Sequence, residues 1–283
     1  MAKELIHLPL SDTYYCNELK DKKILVTGHQ FIKTFSLETY QEIQSFPSED
    51  SNYEFLVTPD QSSIFIVTNT GLKQYSFPDF VLLKVHQPLS SGLCLKILNT
   101  KNVILFPNNS KLLNLDLNSF DITEFAGHHE SFIYDIVSTS DENTIFTVAF
   151  DKSLKKWNTN SSKVEKSIEL EFVGRSLFVI ENSNSESEVL LVGMINGSLL
   201  EFSLKELILI KTVRIHDSWI TKIIRLSSGD MMSCSDDGDV GFPLSDKKPI
   251  KVSDLWINSF SELSDQTLAC CCANGLTIIR IPS

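Results

Sequence analysis

Short apolar segments recur along this chain at a regular interval. Each is roughly four to seven residues long, rich in Val, Ile, Leu, Phe and Thr, and bounded by Asp, Asn, Ser and Gly, a pattern typical of short β-strands. Groups of about four such segments repeat every 30 to 45 residues or so. Convincing helical periodicity is scarce, so the sequence predicts an all-β protein built from repeated four-stranded units.

Two copies of the repeat align best. The first begins at Gly127 and reads GHHESFIYDIVSTSDENTIFTVAFDKSLKKWNTNSSKVEKSIEL. The second begins at Arg214 and reads RIHDSWITKIIRLSSGDMMSCSDDGDVGFPLSDKKPIKV. In this alignment the second copy has a histidine and a turn aspartate at the positions of His129 and Asp151. It has Pro243 where the first copy has Trp157.

The copy from Gly127 resembles the repeat of the WD-repeat (WD40) β-propellers. Gly127 and His129 match the glycine and histidine before the first strand, Asp151 matches the turn aspartate, and Trp157 ends the third strand. The resemblance implies that these groups are linked by hydrogen bonds, since a buried carboxylate must be paired. The implied motif is structural rather than catalytic. It comprises His129, Thr147, Asp151, Trp157, His216 and Asp237.

The number of copies predicts a single seven-bladed β-propeller over residues 1–283, with six blades as the alternative. The last copy contains only about three strands, and we expect the N-terminal segment KELIHLPL to supply its outer strand and so remove an open edge. The predicted blades are 14–48, 51–86, 90–126, 127–170, 173–213, 214–252, and 254–283 together with 3–10.

Charge and cysteine content narrow the partners and the compartment. The net charge is −11 and the sequence pI about 5.0, with only four arginines, which disfavours a nucleic-acid partner. The six cysteines form no C-x-x-C pair and are expected to be small buried residues in a reducing compartment. The N-terminus shows no signal peptide and no stretch is long enough for a membrane helix, so we expect a cytoplasmic protein, with the nucleus as an alternative.

No catalytic or cofactor motif stands out. Nucleotide-binding, zinc-protease and hydrolase-elbow patterns are absent from the sequence. The pairs His128–His129 and the acidic stretch SDDGD from Ser235 to Asp239 are better explained as blade turns than as metal sites. We therefore expect no enzyme activity, no cofactor, no metal and no small-molecule substrate. The acidic segment from Asn182 to Glu188 is expected to be a solvated loop.

The positions at the predicted blade starts are unusually aromatic. Aromatic residues and arginine are enriched at binding hot spots, so we expect a partner-binding face there, although each of these side chains could instead pack against a neighbouring blade. This predicted face comprises Tyr14, Tyr15, Tyr53, Phe132, Arg175, Trp219 and Trp256.

The favoured function is a noncatalytic scaffold or adaptor subunit of an intracellular multiprotein complex. A propeller that recognises ubiquitin or a peptide through the same face is the alternative. An RNA-bound ribonucleoprotein subunit is disfavoured by the charge. A propeller hydrolase is disfavoured because the blade starts are aromatic and aliphatic rather than acidic or histidine-rich.

Overall fold

The computed structural model describes residues 3–19, 22–88, 93–181, 188–245 and 247–281. These residues form twenty-six β-strands and no helix, so the predicted all-β class is confirmed. The acidic loop predicted at 182–188 lies outside the described residues except for Glu188.

The strands are named in chain order. The first thirteen are β1 (Lys3–Pro9), β2 (Thr13–Leu19), β3 (Lys23–Ser36), β4 (Glu42–Val57), β5 (Ser63–Thr68), β6 (Gly71–Ser76), β7 (Leu82–Pro88), β8 (Lys96–Leu98), β9 (Val103–Asn108), β10 (Lys111–Asp116), β11 (Ile122–Glu124), β12 (Ile133–Ser138) and β13 (Thr144–Ala149). The others are β14 (Ser153–Asn158), β15 (Lys163–Glu169), β16 (Gly174–Ile180), β17 (Val189–Met194), β18 (Ser198–Ser203), β19 (Leu209–Arg214), β20 (Ile220–Arg225), β21 (Met231–Ser235), β22 (Asp239–Gly241), β23 (Ile250–Lys251), β24 (Ile257–Glu262), β25 (Thr267–Cys272) and β26 (Gly275–Arg280).

The described strands form six hydrogen-bonded sheets. Five contain four strands each, in the orders β11-β10-β9-β8, β12-β13-β14-β15, β16-β17-β18-β19, β20-β21-β22-β23 and β1-β26-β25-β24. The sixth contains six strands in the order β2-β3-β4-β5-β6-β7. The prediction of seven blades is therefore wrong, because the copies predicted at 14–48 and 51–86 share one sheet.

The physical cause of this merging is the length of β3 and β4. The first part of β3 pairs with β2, as far as Gly28 opposite Thr13, and its second part pairs with β4. The next residue of β3, His29, is paired with Ser51 of β4. The strand therefore continues without a turn between its pairing with β2 and its pairing with β4. Strand β4 then runs for 16 residues without a break.

The chain divides into two compact units. The first unit comprises residues 1–53, 196–198 and 213–283, and the second comprises residues 54–195 and 199–212. The prediction of a single domain stays a prediction.

In the first unit, the N-terminal strand β1 supplies the outer strand of the last sheet, as expected. It pairs antiparallel with β26, from Lys3 opposite Arg280 to Pro9 opposite Gly275. The hydroxyl of Thr13 then donates to the carbonyl of Cys272 at 2.7 Å, which ties the start of β2 to the same sheet. Backbone pairing thereby joins β1 to β26.

The second strand of most of the four-stranded repeats is buried on both faces. Every described residue of β5, β17, β21 and β25 is buried, which explains why these segments are continuously apolar or small in the sequence. Strand β25 contains Cys270, Cys271 and Cys272, and all six cysteines are buried thiols. Burial raises the pKa of Cys270 and Cys271 well above the ordinary value, so these thiols are unreactive packing residues.

Candidate functional site

The copy from Gly127 holds a buried chain of hydrogen bonds in the second unit. The indole N–H of Trp157 donates to the hydroxyl of Thr147 at 2.8 Å, and that hydroxyl lies 2.7 Å from Nε2 of His129. On the other side of the ring, Nδ1 of His129 lies 3.0 Å from a carboxylate oxygen of Asp151. Each group is satisfied if the threonine donates to Nε2 and the histidine donates from Nδ1.

The surroundings of His129 and Asp151 set the charge state of each side chain. Burial lowers the pKa of His129, which keeps the imidazole neutral. Burial alone would raise the pKa of Asp151, but hydrogen bonds from His129, from the backbone N–H of Glu130 and from Ser153 hold it below its ordinary value. The result is a neutral histidine clamped between a hydroxyl and a carboxylate, which fixes the turns around it.

The first unit contains a shorter version of the same arrangement. Nδ1 of His216 lies 3.1 Å from Asp237, and Nε2 lies 2.9 Å from the hydroxyl of Ser233. The backbone N–H of Asp217 donates to the same carboxylate at 2.8 Å. Pro243 occupies the tryptophan position, so Ser233 accepts no indole N–H. The structure thus brings together the residues that the resemblance grouped in each copy.

The two tryptophans of the predicted face lie in the first unit, each directly before a first strand. The carbonyl of Trp219 accepts from the N–H of Asp236 at 3.0 Å, and the carbonyl of Trp256 accepts from the N–H of Ala273 at 3.1 Å. The Trp256 side chain is 45% exposed, whereas Trp219 is partly buried. Both backbones are therefore fixed, and one indole is open to solvent.

The three tyrosines of the predicted face are also in the first unit. The rings of Tyr14 and Tyr53 lie 5.3 Å apart, and Nζ of Lys222 lies 5.1 Å from the ring of Tyr15. All three tyrosines are partly buried, and burial raises the pKa of Tyr14 and Tyr53. These rings form part of the first-strand packing and expose only part of their surface.

In the second unit, Phe132 belongs to an aromatic cluster. Its carbonyl accepts from the N–H of Phe150 at 3.0 Å, its ring stacks on Phe150 at 5.0 Å, and it meets Tyr134 edge-on at 5.1 Å. Arg175 lies over the ring of Tyr134 at 4.7 Å. Tyr134 and Phe150 were not among the residues predicted from the sequence, although Phe150 is 48% exposed and directly precedes the turn aspartate.

Arg175 lies at a different register position from Phe132. Five first strands carry a register shift at their second residue, at Tyr14, Tyr134, Arg175, Thr221 and Asn258. The carbonyl of Phe132 accepts from the N–H of Phe150, and the equivalent bond in the copy that contains β16 runs from the N–H of Ile195 to the carbonyl of Val173. Val173 is therefore the counterpart of Phe132. Arg175 therefore corresponds to Tyr134, its own contact, rather than to Phe132.

The bulge residues of the first unit link neighbouring first strands. The hydroxyl of Thr221 donates to the carbonyl of Ile257 at 2.6 Å, and the side-chain amide of Asn258 donates to the carbonyl of Thr13 at 2.7 Å. Each bulge side chain thus binds the first residue of another sheet's first strand. These bonds hold the backbones that carry the exposed indole in a fixed position.

Among the described residues, no group of three or more His, Cys, Asp or Glu side chains is arranged to hold a metal ion. His128 and Glu130 lie 3.6 Å apart and both are exposed. Asp237 is occupied by its bonds to His216 and to backbone N–H groups. No helix in the described part of the chain is long and apolar enough to cross a membrane.

Comparison with known proteins gives a fold but no sequence family. No family model matches the chain, and no curated protein sequence matches it. Among solved structures, the chain is similar to the WD40 β-propeller domain of Doa1, with a TM-score of 0.79 and 15% identity over 99% of this chain and 96% of that chain. This likeness confirms the predicted WD40-type β-propeller fold.

Proposed function

We propose that this chain is a noncatalytic protein-interaction scaffold, an adaptor subunit of an intracellular multiprotein complex. Propellers of this fold commonly mediate contacts between proteins. The proposed partner surface is the part of the predicted face that belongs to the first unit, centred on Trp219 and Trp256. A cytoplasmic location is part of the proposal, and the six buried cysteine thiols support it.

The observation that carries the proposal is the setting of Trp256. Its carbonyl is held by Ala273, the preceding N–H of Leu255 donates to Ser253 at 3.0 Å, and its side chain is 45% exposed. A large aromatic side chain on a fixed backbone loses little conformational entropy when a partner covers it. This is the setting in which tryptophan acts as a binding hot spot. Trp219 shares the backbone lock and adds a partly exposed ring.

The test is a double substitution, Trp219→Ser with Trp256→Ser, in a tagged protein purified from its native cells. We expect bound partners to fall by at least about tenfold, the loss typical of a hot spot. The matched control is Leu244→Ser, which removes an apolar side chain that is 50% exposed elsewhere in the same unit.

Three outcomes are informative. Loss of a defined partner set in the double variant alone, with an unchanged melting curve, supports the proposal. Equal capture by the wild type, the control and the double variant would move the interface away from the tryptophans. Global unfolding of the double variant would return both indoles to a packing role and overturn the proposed face.

A further inference from the structure

We propose that the edge strand β7 and a pocket beside Phe120 form a second protein-binding site, which takes an extended strand of another protein anchored by a tyrosine. The site lies entirely within the second unit. It shares no residue with the predicted face, and its argument does not depend on that face.

The outer strand β7 is an edge strand whose exposed surface is mostly apolar. Val81, Leu82, Leu83 and Val85, in and directly before it, are between 48% and 59% exposed. The outer strand β15 of the same unit instead exposes Lys163, Glu165, Lys166 and Glu169. Soluble proteins normally place charges on such edges to prevent pairing with another chain. Strand β7 has a single exposed charged residue, Lys84, among its described side chains, so this edge is less protected and is suited to accept a strand.

Exposure alone does not choose β7, since Ile208, Leu209 and Ile210 beside and in β19 are also at least 50% exposed. What distinguishes β7 is its contact with Phe120, which lines a pocket of about 330 Å³. That volume is at the lower end of the range for ligand pockets, about 300–1,000 Å³, and suits a single side chain. Its walls include Phe65, Leu117 and Phe120.

Phe120 connects the pocket to β7. Its ring is 39% exposed and lines the pocket. Nζ of Lys84 lies 5.5 Å from the centre of this ring, and the ring of His86 stacks on it at 6.1 Å. Lys84 and His86 both belong to β7, so a strand lying along this part of the edge runs beside the pocket.

The register of β7 selects the part of the edge that can pair. From Lys84 to His86 the ladder with β6 is regular, with Val85 opposite Lys73. A register shift interrupts it at Leu83. We infer that the partner strand bonds along residues 84–86, beside Phe120, while Leu82 and Leu83 supply apolar contact.

The polar lining defines the anchor. Asp60 lies in the pocket, and hydrogen bonds from Thr58 and Ser62 lower the pKa of its carboxyl, so it is an anion at neutral pH. An acidic anchor would be repelled by this carboxylate, and Lys84 beside the ring of Phe120 disfavours a cationic one. A tyrosine suits both features, because its ring packs against the apolar walls and its hydroxyl donates to Asp60.

The deeper polar groups are already satisfied and do not compete for the anchor. The amide of Gln74 donates to the hydroxyl of Ser63 at 3.1 Å, and its oxygen lies 3.1 Å from Nε2 of His86. All three residues are buried. The pocket floor is therefore preorganised, which lowers the cost of binding.

The test uses a random peptide library displayed on phage, selected against the full-length protein. We expect enriched peptides to alternate apolar residues and to share one tyrosine. Replacing that tyrosine with phenylalanine should weaken binding by about threefold, since Asp60 is exposed and a hydrogen bond to a solvent-exposed carboxylate contributes less than a buried one. In an Asp60→Asn protein this discrimination between tyrosine and phenylalanine should shrink.

The matched variants are Leu83→Lys on β7 and Leu209→Lys on β19, each checked by its thermal melting curve. We expect the first to abolish peptide binding and the second to leave it unchanged. Equal binding to both variants, peptides without a shared tyrosine, or no enriched peptide would each overturn the proposal. Sedimentation of the wild type as a dimer that Leu83→Lys dissociates would also overturn it, since the edge would then pair with a second copy.

Discussion

Replacing Thr147 with valine should be among the most destabilising single substitutions in the second unit. The side chain is fully buried, and valine keeps its shape but removes its hydroxyl. Two buried groups would lose their partner, the indole N–H of Trp157 at 2.8 Å and Nε2 of His129 at 2.7 Å. An unsatisfied buried polar group costs about 1–3 kcal/mol, so the free energy of unfolding should fall by about 4 kcal/mol.

Two matched substitutions isolate the cause. Thr147→Ser keeps the hydroxyl and removes one methyl group, which should cost about 1 kcal/mol. Ser233→Ala removes the equivalent hydroxyl in the first unit, where His216 is the partner and Pro243 replaces the tryptophan. With one group orphaned instead of two, its cost should be about 2 kcal/mol.

The measurement is urea denaturation followed by circular dichroism, with the free energy taken from the midpoint and slope. The order of destabilisation should be Thr147→Val, then Ser233→Ala, then Thr147→Ser. If Thr147→Val costs no more than Thr147→Ser, the hydroxyl carries no structural role and the hydrogen-bond argument fails.

Two other predictions concern pH and backbone conformation. Because the folded pKa values of His129 and Asp151 both lie below their unfolded values of about 6.5 and 3.9, stability should be fully present above pH 7 and fall as pH drops through these values. Urea denaturation at pH 7.5, 5.5 and 3.5 checks this, and an Asp151→Asn protein whose stability falls as steeply between pH 5.5 and 3.5 would contradict the carboxylate part. Gly238→Ala should destabilise by at least about 2 kcal/mol more than Gly229→Ala. Both glycines have positive φ, but an added Cβ would lie 2.1 Å from the carbonyl of Ser253 only at Gly238, so equal melting temperatures would refute the steric argument.

The sequence was sufficient for the fold class and for the locking motif. Short apolar runs separated by polar residues predict strands. The prediction works here because the second strand of most repeats is buried and therefore apolar. The resemblance of the copy from Gly127 to the WD repeat implied that His129, Asp151 and Trp157 belong to one hydrogen-bonded group, and buried polar groups need such partners. The N-terminal strand could be placed because the last copy lacked an outer strand.

Other features depend on hydrogen-bond register, which the sequence does not display. The merging of the first two copies depends on the pairing of His29 with Ser51, and nothing in the residue types at those positions marks it. The offset of Arg175 from Phe132 becomes visible only when the two copies are aligned on their bulged residues, Tyr134 and Arg175. The pocket beside Phe120 joins side chains from Asp60 to Phe120, distant in the chain and unrelated by any motif.

The six-stranded sheet lacks the signature residues and is locked by a different polar group. The buried amide of Asn52 donates to the carbonyls of Gly28, Phe31 and Asp50 at 3.0–3.3 Å, and so fixes the backbone near the middle of β3. Buried backbone groups at such a position must be hydrogen-bonded, and one polar side chain can supply the partner. Because an asparagine can meet that requirement as well as a histidine and aspartate pair, the motif can disappear from a copy while its strands remain. This explains why a chain with the WD40 fold matches no family model by sequence.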